Sequence, residues 1–381
     1  MSLRALIPDR LFDGDILREG VAVLVDDAIV GVAAIADLPA DVVRERVPGL
    51  LAPGFVDVQV NGGGGVLFND DPSPETIAAI AAAHRRFGTT ALLPTVITDT
   101  PEVMQAALSA VRAAIAAGAP GVIGVHVEGP FLNPARKGVH DPRLMRAPDE
   151  TDFAALTGPG LGAVVVTLAP ECVPEGAVAR LAEAGIRVAA GHTEATAERL
   201  AAARAEGLTG YTHLFNAMPP LAGRAPGPVG AALSERETFC GVIVDLHHVS
   251  AASLKAAIAA KGFDRCMLVT DAMAATGSDL GEFMLQGRRI IRADGRLTTE
   301  DGTLAGSDLD MAAAVRNAVR ALGLPLGEAL AMASRTPAGW LGLGDRIGQI
   351  APGFRADLVA LDDDLRAKAT WIGGQREDCA V

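Results

Sequence analysis

"PGFVDVQVNGG" spans Pro53 to Gly63, and one face of it is unusual. Side chains alternate along a strand, so Val56, Val58 and Val60 share one side while Asp57, Gln59 and Asn61 share the other. A strand covered on both faces does not normally carry three polar groups in a row on one of them. That side must meet water or line a site.

Phe55–Val60 is the first candidate strand, and working outward seven more short apolar runs follow: Thr90–Leu93, Val122–Val127, Ala163–Leu168, Arg187–Ala190, Gly210–His213, Gly241–Asp245 and Met267–Thr270. Ala-rich amphipathic stretches such as ETIAAIAAAHRRF and SLKAAIAAKG lie between most of them. Eight strand–helix units in one chain predict an α/β protein with a (β/α)8 TIM barrel. The rival is a doubly wound sheet. It would want GxGxxG after an early strand, and the chain has none; NGGGGVLFND lacks the lysine and spacing of a phosphate loop.

The two chain ends read differently. VAVLVDDAIVGVAAI (Val21–Ile35) has a hairpin pattern turning at Asp26-Asp27, and IGQIAPGFRADLVALDDD predicts short strands with Gly and Pro turns. Neither end alone can bury a core, so residues 1–52 plus 347–381 are expected to form one small β-sandwich domain beside a barrel of 53–346.

Composition narrows the function. Acidic residues outnumber basic ones, 46 to 33, and the net charge of −13 disfavours non-specific binding to nucleic acid or an anionic membrane. Cys172, Cys240, Cys266 and Cys379 form no CxxC, so neither a disulfide framework nor a cysteine zinc site is expected. The apolar stretch Ala113–Val127 is broken by Gly118, Pro120, Gly121 and Gly124 and reads as helix end, turn and strand. No signal peptide is expected, and the chain reads as a cytoplasmic protein.

Active-site groups of such a barrel project from the C-terminal strand ends. Those ends carry Gln59 and Asn61, His126 and Glu128, His192, His213, His247 with His248, and Asp271. A lone histidine is more often a packing residue than a ligand, but one at several strand ends is not chance placement. His84 lies on a helix and reads as a surface or packing residue. Glu128, His192 and His213 offer a nitrogen and oxygen donor set for a catalytic zinc with a position left for water. Asp271 then remains as a carboxylate free to act as base and acid in turn.

The motifs GFVDVQVNG, HVEGPFLNPARKGVHDP, AAGHTEAT, THLFNAMPPLAGRAPG, DLHHVS, LVTDAMAATG and LAGS, in this order, resemble the amidohydrolase superfamily. Within it they are similar to the N-acetylglucosamine-6-phosphate deacetylase family. The resemblance covers essentially the whole chain. It implies a metal-dependent barrel, a small β-sandwich from both chain ends and usually a homodimer. It also implies hydrolysis of the N-acetyl group of N-acetyl-D-glucosamine 6-phosphate to glucosamine 6-phosphate and acetate. It assigns Glu128, His192 and His213 as metal ligands, Asp271 as general base and acid, and His140 as the group that polarises the acetyl carbonyl. His248 falls near sugar and phosphate, and the Asn216–Ala217 backbone near the phosphate. Arg224 binds the phosphate, an arginine that the family can supply across a dimer interface. His247, adjacent to His248, is not assigned.

Two-metal amidohydrolases usually carry H-x-H at the end of strand 1. Here that position reads Gln59-Val60-Asn61, and carboxamides are weak ligands beside imidazole. Lys137, Lys255, Lys261 and Lys368 are the only lysines, and none falls at the end of strand 4 to bridge a metal pair. One divalent ion per subunit is therefore expected, zinc first, with Fe, Co, Mn or Ni as other candidates. Gln59 and Asn61 are left to bond substrate, neighbouring side chains or water. The alternative within the class is an amidohydrolase that deacylates another N-acyl amino sugar or N-acyl compound. A Schiff-base aldolase would need a strand-end lysine, and a non-catalytic scaffold would have lost ligands that are all present.

Overall fold

The computed structural model describes residues 3–379, so four terminal residues assigned to the small domain (1, 2, 380 and 381) lie outside the described ones. Eight parallel strands run in sequential order around a barrel. They are β1 (Phe55–Val60), β2 (Thr89–Ile97), β3 (Gly124–Glu128), β4 (Ala163–Leu168), β5 (Arg187–Ala190), β6 (Leu208–Tyr211), β7 (Phe239–Val242) and β8 (Cys266–Leu268). The ring closes just beyond β8, where Asp271 N–H donates to the Gln59 carbonyl at 3.0 Å and Val60 bridges Ala272.

All eight strands fall where the sequence places them, and three, β1, β4 and β5, with the same limits. The last three end earlier than expected, at Tyr211, Val242 and Leu268. The ladder stops because the chain turns sharply there. His213, Leu246 and Asp271 take left-handed φ values of 30°, 66° and 52°. That conformation costs an L-residue on the order of 1–3 kcal/mol and persists where the surroundings over-determine it.

Helices fill the intervals for local reasons. Pro74–Arg85 begins with Ser73, whose hydroxyl accepts from Thr76 N–H, and Pro101–Ala116 begins with Thr100, which accepts from Val103 N–H. Each has proline at its first position, where the missing N–H is not needed. The barrel core beneath them is built mainly from Ala, Val, Leu and Ile.

Both chain ends enter one eight-stranded sheet, in which Val43–Pro53 pairs with Leu358–Leu361. Its alternation divides two cores. Leu50, Ala52, Val359 and Leu361 join the barrel core, whereas Leu51, Leu358, Ala360 and Trp371 join the sheet's own cluster. The expected hairpin is present, with Val21–Val25 antiparallel to Ile29–Ala34.

One element was not expected. Residues after β8 form a four-stranded antiparallel sheet from Glu282 to Ser307. It packs on the barrel mouth through a small cluster including Ile97, Met273, Leu285, Ile290 and Leu297. Asp294-Gly295, with both φ positive, is the sequence signal that marks one of its hairpins.

Candidate active site

Beneath the barrel mouth lies a polar layer. His126 contacts Thr95 Oγ1 at 3.2 Å and Thr167 Oγ1 at 2.8 Å, and Thr167 bonds Thr212 at 2.6 Å. Burial pushes His126 down to about 4, so this ring is neutral and structural. His84 is likewise a packing residue, not a surface one. It is fully buried, donates from Nε2 to the Gly62 carbonyl at 2.9 Å, and is pushed down to about 4 by burial.

Above that layer a cavity of about 220 Å³ is lined by Asn61, Glu128, His140, His192, His213, Asn216, Ala217, His248 and Asp271, among others. A larger cavity of about 780 Å³ opens beside Val122, Gly162 and Gly185, at the opposite ends of the strands. It gathers only Asp27, Arg346 and Arg355 as charged groups, and Arg355 is already paired with Asp357. The smaller cavity holds the chemistry.

Glu128 Oε1 lies 3.2 Å from His192 Nε2 and 2.9 Å from His213 Nε2, and the two nitrogens are 3.1 Å apart. Donors on one tetrahedral zinc, each at about 2.0–2.2 Å, sit roughly 3.3 Å from one another. His192 Nδ1 is 2.8 Å from the Arg136 carbonyl, which can only accept, so Nδ1 carries the hydrogen and Nε2 presents a lone pair. Carboxylate and imidazole lone pairs facing each other repel unless a cation sits among them. The residues therefore fit a divalent ion. The charges agree: burial opposes protonation of His213, yet Glu128 against it raises its proton affinity above the ordinary value. A wider grouping joins Glu128 and His192 with His140, whose ligand atoms all lie within 4.8 Å. We prefer the trio with His213, because its three atoms stand closer together.

His140 has a partner of its own, with Nδ1 2.8 Å from Thr98 Oγ1. Its ring meets that of His192 edge-on at 4.4 Å. Burial and the neighbouring His192 hold it well below the usual range, so it stays neutral.

The three polar groups of β1 do not face water. Asp57 accepts from Thr270 Oγ1 at 2.5 Å and ties β1 to the end of β8; burial raises it to about 7. Gln59 Nε2 donates to Glu128 Oε2 at 3.0 Å and to Asp271 Oδ1 at 3.2 Å. Asn61 Nδ2 donates to the same Asp271 oxygen at 2.6 Å. These amide orientations follow from the carboxylates opposite them, which can only accept when ionised. Gln59 is turned beneath the cavity, while Asn61 lines it. Asp271 is pushed up to about 6, by burial and then by the Glu128 charge.

Gly306, of the LAGS motif, is needed here. A Cβ on it would lie 2.5 Å from Met273 Cγ and 2.8 Å from the Asp271 carbonyl, so glycine lets this strand close against the Asp271 segment. Thr303 and Leu304 beside it complete the cavity wall, a contribution the sequence reading did not foresee. Ala217 takes a left-handed φ of 51°, and Asn216 anchors its loop by donating to the His213 carbonyl at 3.1 Å. Arg224 is not brought into the cavity; it stands exposed on the loop that follows. His247 faces outward to Arg296, with its Nδ1 3.1 Å from Arg296 Nε.

The chain belongs to the amidohydrolase family, whose model matches residues 50–379. More narrowly, it is similar to amino-sugar phosphate deacetylases. It is 46% identical to N-acetylgalactosamine-6-phosphate deacetylase of Shewanella sp. (strain ANA-3), over 94% of this chain and 92% of that one. It is 34% identical to N-acetylglucosamine-6-phosphate deacetylase of Haemophilus influenzae, over 95% of both. Its fold matches the Pasteurella multocida N-acetylglucosamine-6-phosphate deacetylase with a TM-score of 0.95 at 33% identity, over 99% of this chain and 100% of that one. Among the described residues, no helix is long and apolar enough to cross a membrane.

Proposed function

We propose that this chain hydrolyses the N-acetyl group of N-acetyl-D-glucosamine 6-phosphate, giving D-glucosamine 6-phosphate and acetate. The observation that carries the reading is the convergence of Glu128, His192 and His213 beside a carboxylate, Asp271, that two amides already hold in place. The relatives named above support the substrate class.

Glu128, His192 and His213 would hold one divalent ion, zinc in our reading. When bound, such an ion acts as a Lewis acid that makes water easier to deprotonate and the acyl carbonyl easier to attack. Asp271 takes the proton as the water oxygen bonds to the carbonyl carbon. His140, neutral and accepting at Nδ1 from the Thr98 hydroxyl, donates its single N–H, on Nε2, to the carbonyl oxygen as negative charge grows there. Asp271 returns the proton to the sugar nitrogen as the C–N bond breaks, so the amine leaves neutral, and the acid formed gives its hydroxyl proton to the freed Asp271 carboxylate to leave as acetate. Gln59 and Asn61 keep Asp271 aimed. His248, Asn216 and the Ala217 backbone line the space for the phosphorylated sugar.

Arg224 supports phosphate binding only from a neighbouring subunit, since it stands outside its own cavity; we therefore read the protein as a homodimer. Its absence of cysteine frameworks fits the cytoplasm.

A second reading, the C4 epimer N-acetyl-D-galactosamine 6-phosphate, is favoured by the 46% identity to the Shewanella relative. Acetate release from both phosphorylated epimers and from unphosphorylated N-acetylglucosamine, on enzyme of known metal content, separates them. Preference for phosphorylated glucosamine substrate is expected. Faster turnover of the galactosamine epimer would replace it, and release from neither would send the search to other N-acyl compounds.

A further inference from the structure

The DLHHVS motif holds a buried hydrogen-bonded pair, Asp245 with His248, of which the chemistry above uses only His248. Asp245 and His248 side chains are each only 7% exposed, and Asp245 Oδ2 lies 2.6 Å from His248 Nδ1. The two carboxylate oxygens do different work. Oδ1 accepts from the backbone N–H of His247 and of His248, both at 2.9 Å, and so shapes the turn in which Leu246 takes a left-handed φ of 66°. Oδ2 is not needed for that turn and serves only the His248 ring. A buried polar pair of this kind is weak evidence for stability, because apolar residues of similar volume generally do as well. Its position suggests another use, since His248 lines the cavity of Glu128 and Asp271.

Burial acts to raise Asp245, but the hydrogen bond and charge of His248 outweigh it and hold the carboxyl below its ordinary value. The group is ionised and can only accept, so Nδ1 must carry the hydrogen. Three histidine rings in this cavity are thus each oriented through Nδ1, by three different partners: Thr98 for His140, the Arg136 carbonyl for His192 and the Asp245 carboxylate for His248. Only His248 has a carboxylate behind it.

We propose that Asp245 is a positioning residue for substrate binding: it holds the His248 ring with Nδ1 protonated and Nε2 turned to the phosphorylated sugar. This rests on the substrate reading given above. Asp245 touches no reacting atom, so its effect falls on binding more than on the chemical step.

Asp245→Asn separates the two oxygens' jobs. The carboxamide oxygen still accepts both backbone N–H groups, so the turn survives, but the NH2 facing Nδ1 donates where the carboxylate accepted. KM for the phosphorylated sugar should rise about tenfold, with kcat changed no more than about twofold. In a His248→Ala background the same substitution should add nothing, because the two act as one unit. An unchanged KM, or an effect that adds in full to that of His248→Ala, would overturn the proposal. Nitrogen-15 shifts of the His248 ring provide a readout without substrate. Nδ1 should be protonated in the wild-type protein and not in Asp245→Asn; an unprotonated wild-type Nδ1 refutes the assignment even if the enzyme proves inactive. Wild-type turnover in the same series reports on the substrate reading separately.

Discussion

The mouth of the barrel has two unlike halves. On β3, β5 and β6 the ends supply Glu128, His192 and His213, whose ligand atoms stand 2.9–3.2 Å apart around one point. On β1 and β8 the ends supply Gln59, Asn61 and Asp271, where amide hydrogens already meet carboxylate oxygens. The first half is electrostatically incomplete without a cation. In the second, Asp271 Oδ1 already has two amide donors, although Asn61 Oδ1 is buried without a partner. The contrast teaches that a metal site is recognised by ligand atoms crowded on one point, not by the number of polar groups present.

The largest effect should come from the incomplete half. His192→Ala removes one of three donors and leaves Glu128 facing His213 alone. We predict loss of the bound metal and of essentially all acetate release, with the fold intact by circular dichroism. Retention of both metal and turnover would break the distinction between the halves.

Next comes the half around Asp271. Asp271→Asn should lower kcat by about 10²–10⁴-fold, the usual range for a positioned acid–base group, while metal content stays at the wild-type level. Loss of metal in this variant would place Asp271 among the ligands and merge the two halves.

The smallest effect concerns the packing under β1. His84 is buried and neutral, pushed down to about 4 from its ordinary 6.5. Its folded value lies below its unfolded one, so the unfolded chain binds more protons between the two and stability falls as pH drops through that window. At about pH 5 the loss from this residue alone is about 2 kcal/mol relative to about pH 7.5. Urea midpoints of His84→Gln should show a correspondingly flatter acid limb. An unchanged pH slope would mean that His84 is protonated or exposed in the native protein.

Much of this was legible in the chain. The alternation of Asp57, Gln59 and Asn61 marked a polar strand face, and the structure puts all three in hydrogen bonds with β3 or the end of β8. Strand positions followed from short apolar runs between amphipathic helices. Strand ends were less legible, because His213 and Asp271 break the ladder through left-handed backbone that no apolar pattern announces. The sheet from Glu282 to Ser307 was missed. Its strands are rich in arginine and threonine and exposed on one side, so they lack the apolar runs used to find the others. The Asp-Gly turns were the signal that remained. Partners such as Thr98 for His140 and Asp245 for His248 were hidden for different reasons. Thr98 lies 42 residues from the ring it orients, and Asp245 stands in a motif where the histidines drew the attention.

We propose that one cation belongs to Glu128, His192 and His213 and none to Gln59 and Asn61. The most direct measurement is elemental analysis of the purified chain after loading with zinc and removal of free ion, read as metal per chain. We expect one tightly held ion, lost in His192→Ala and kept in Asp271→Asn. Two tightly held ions per chain, or none at full acetate-releasing activity, would contradict it.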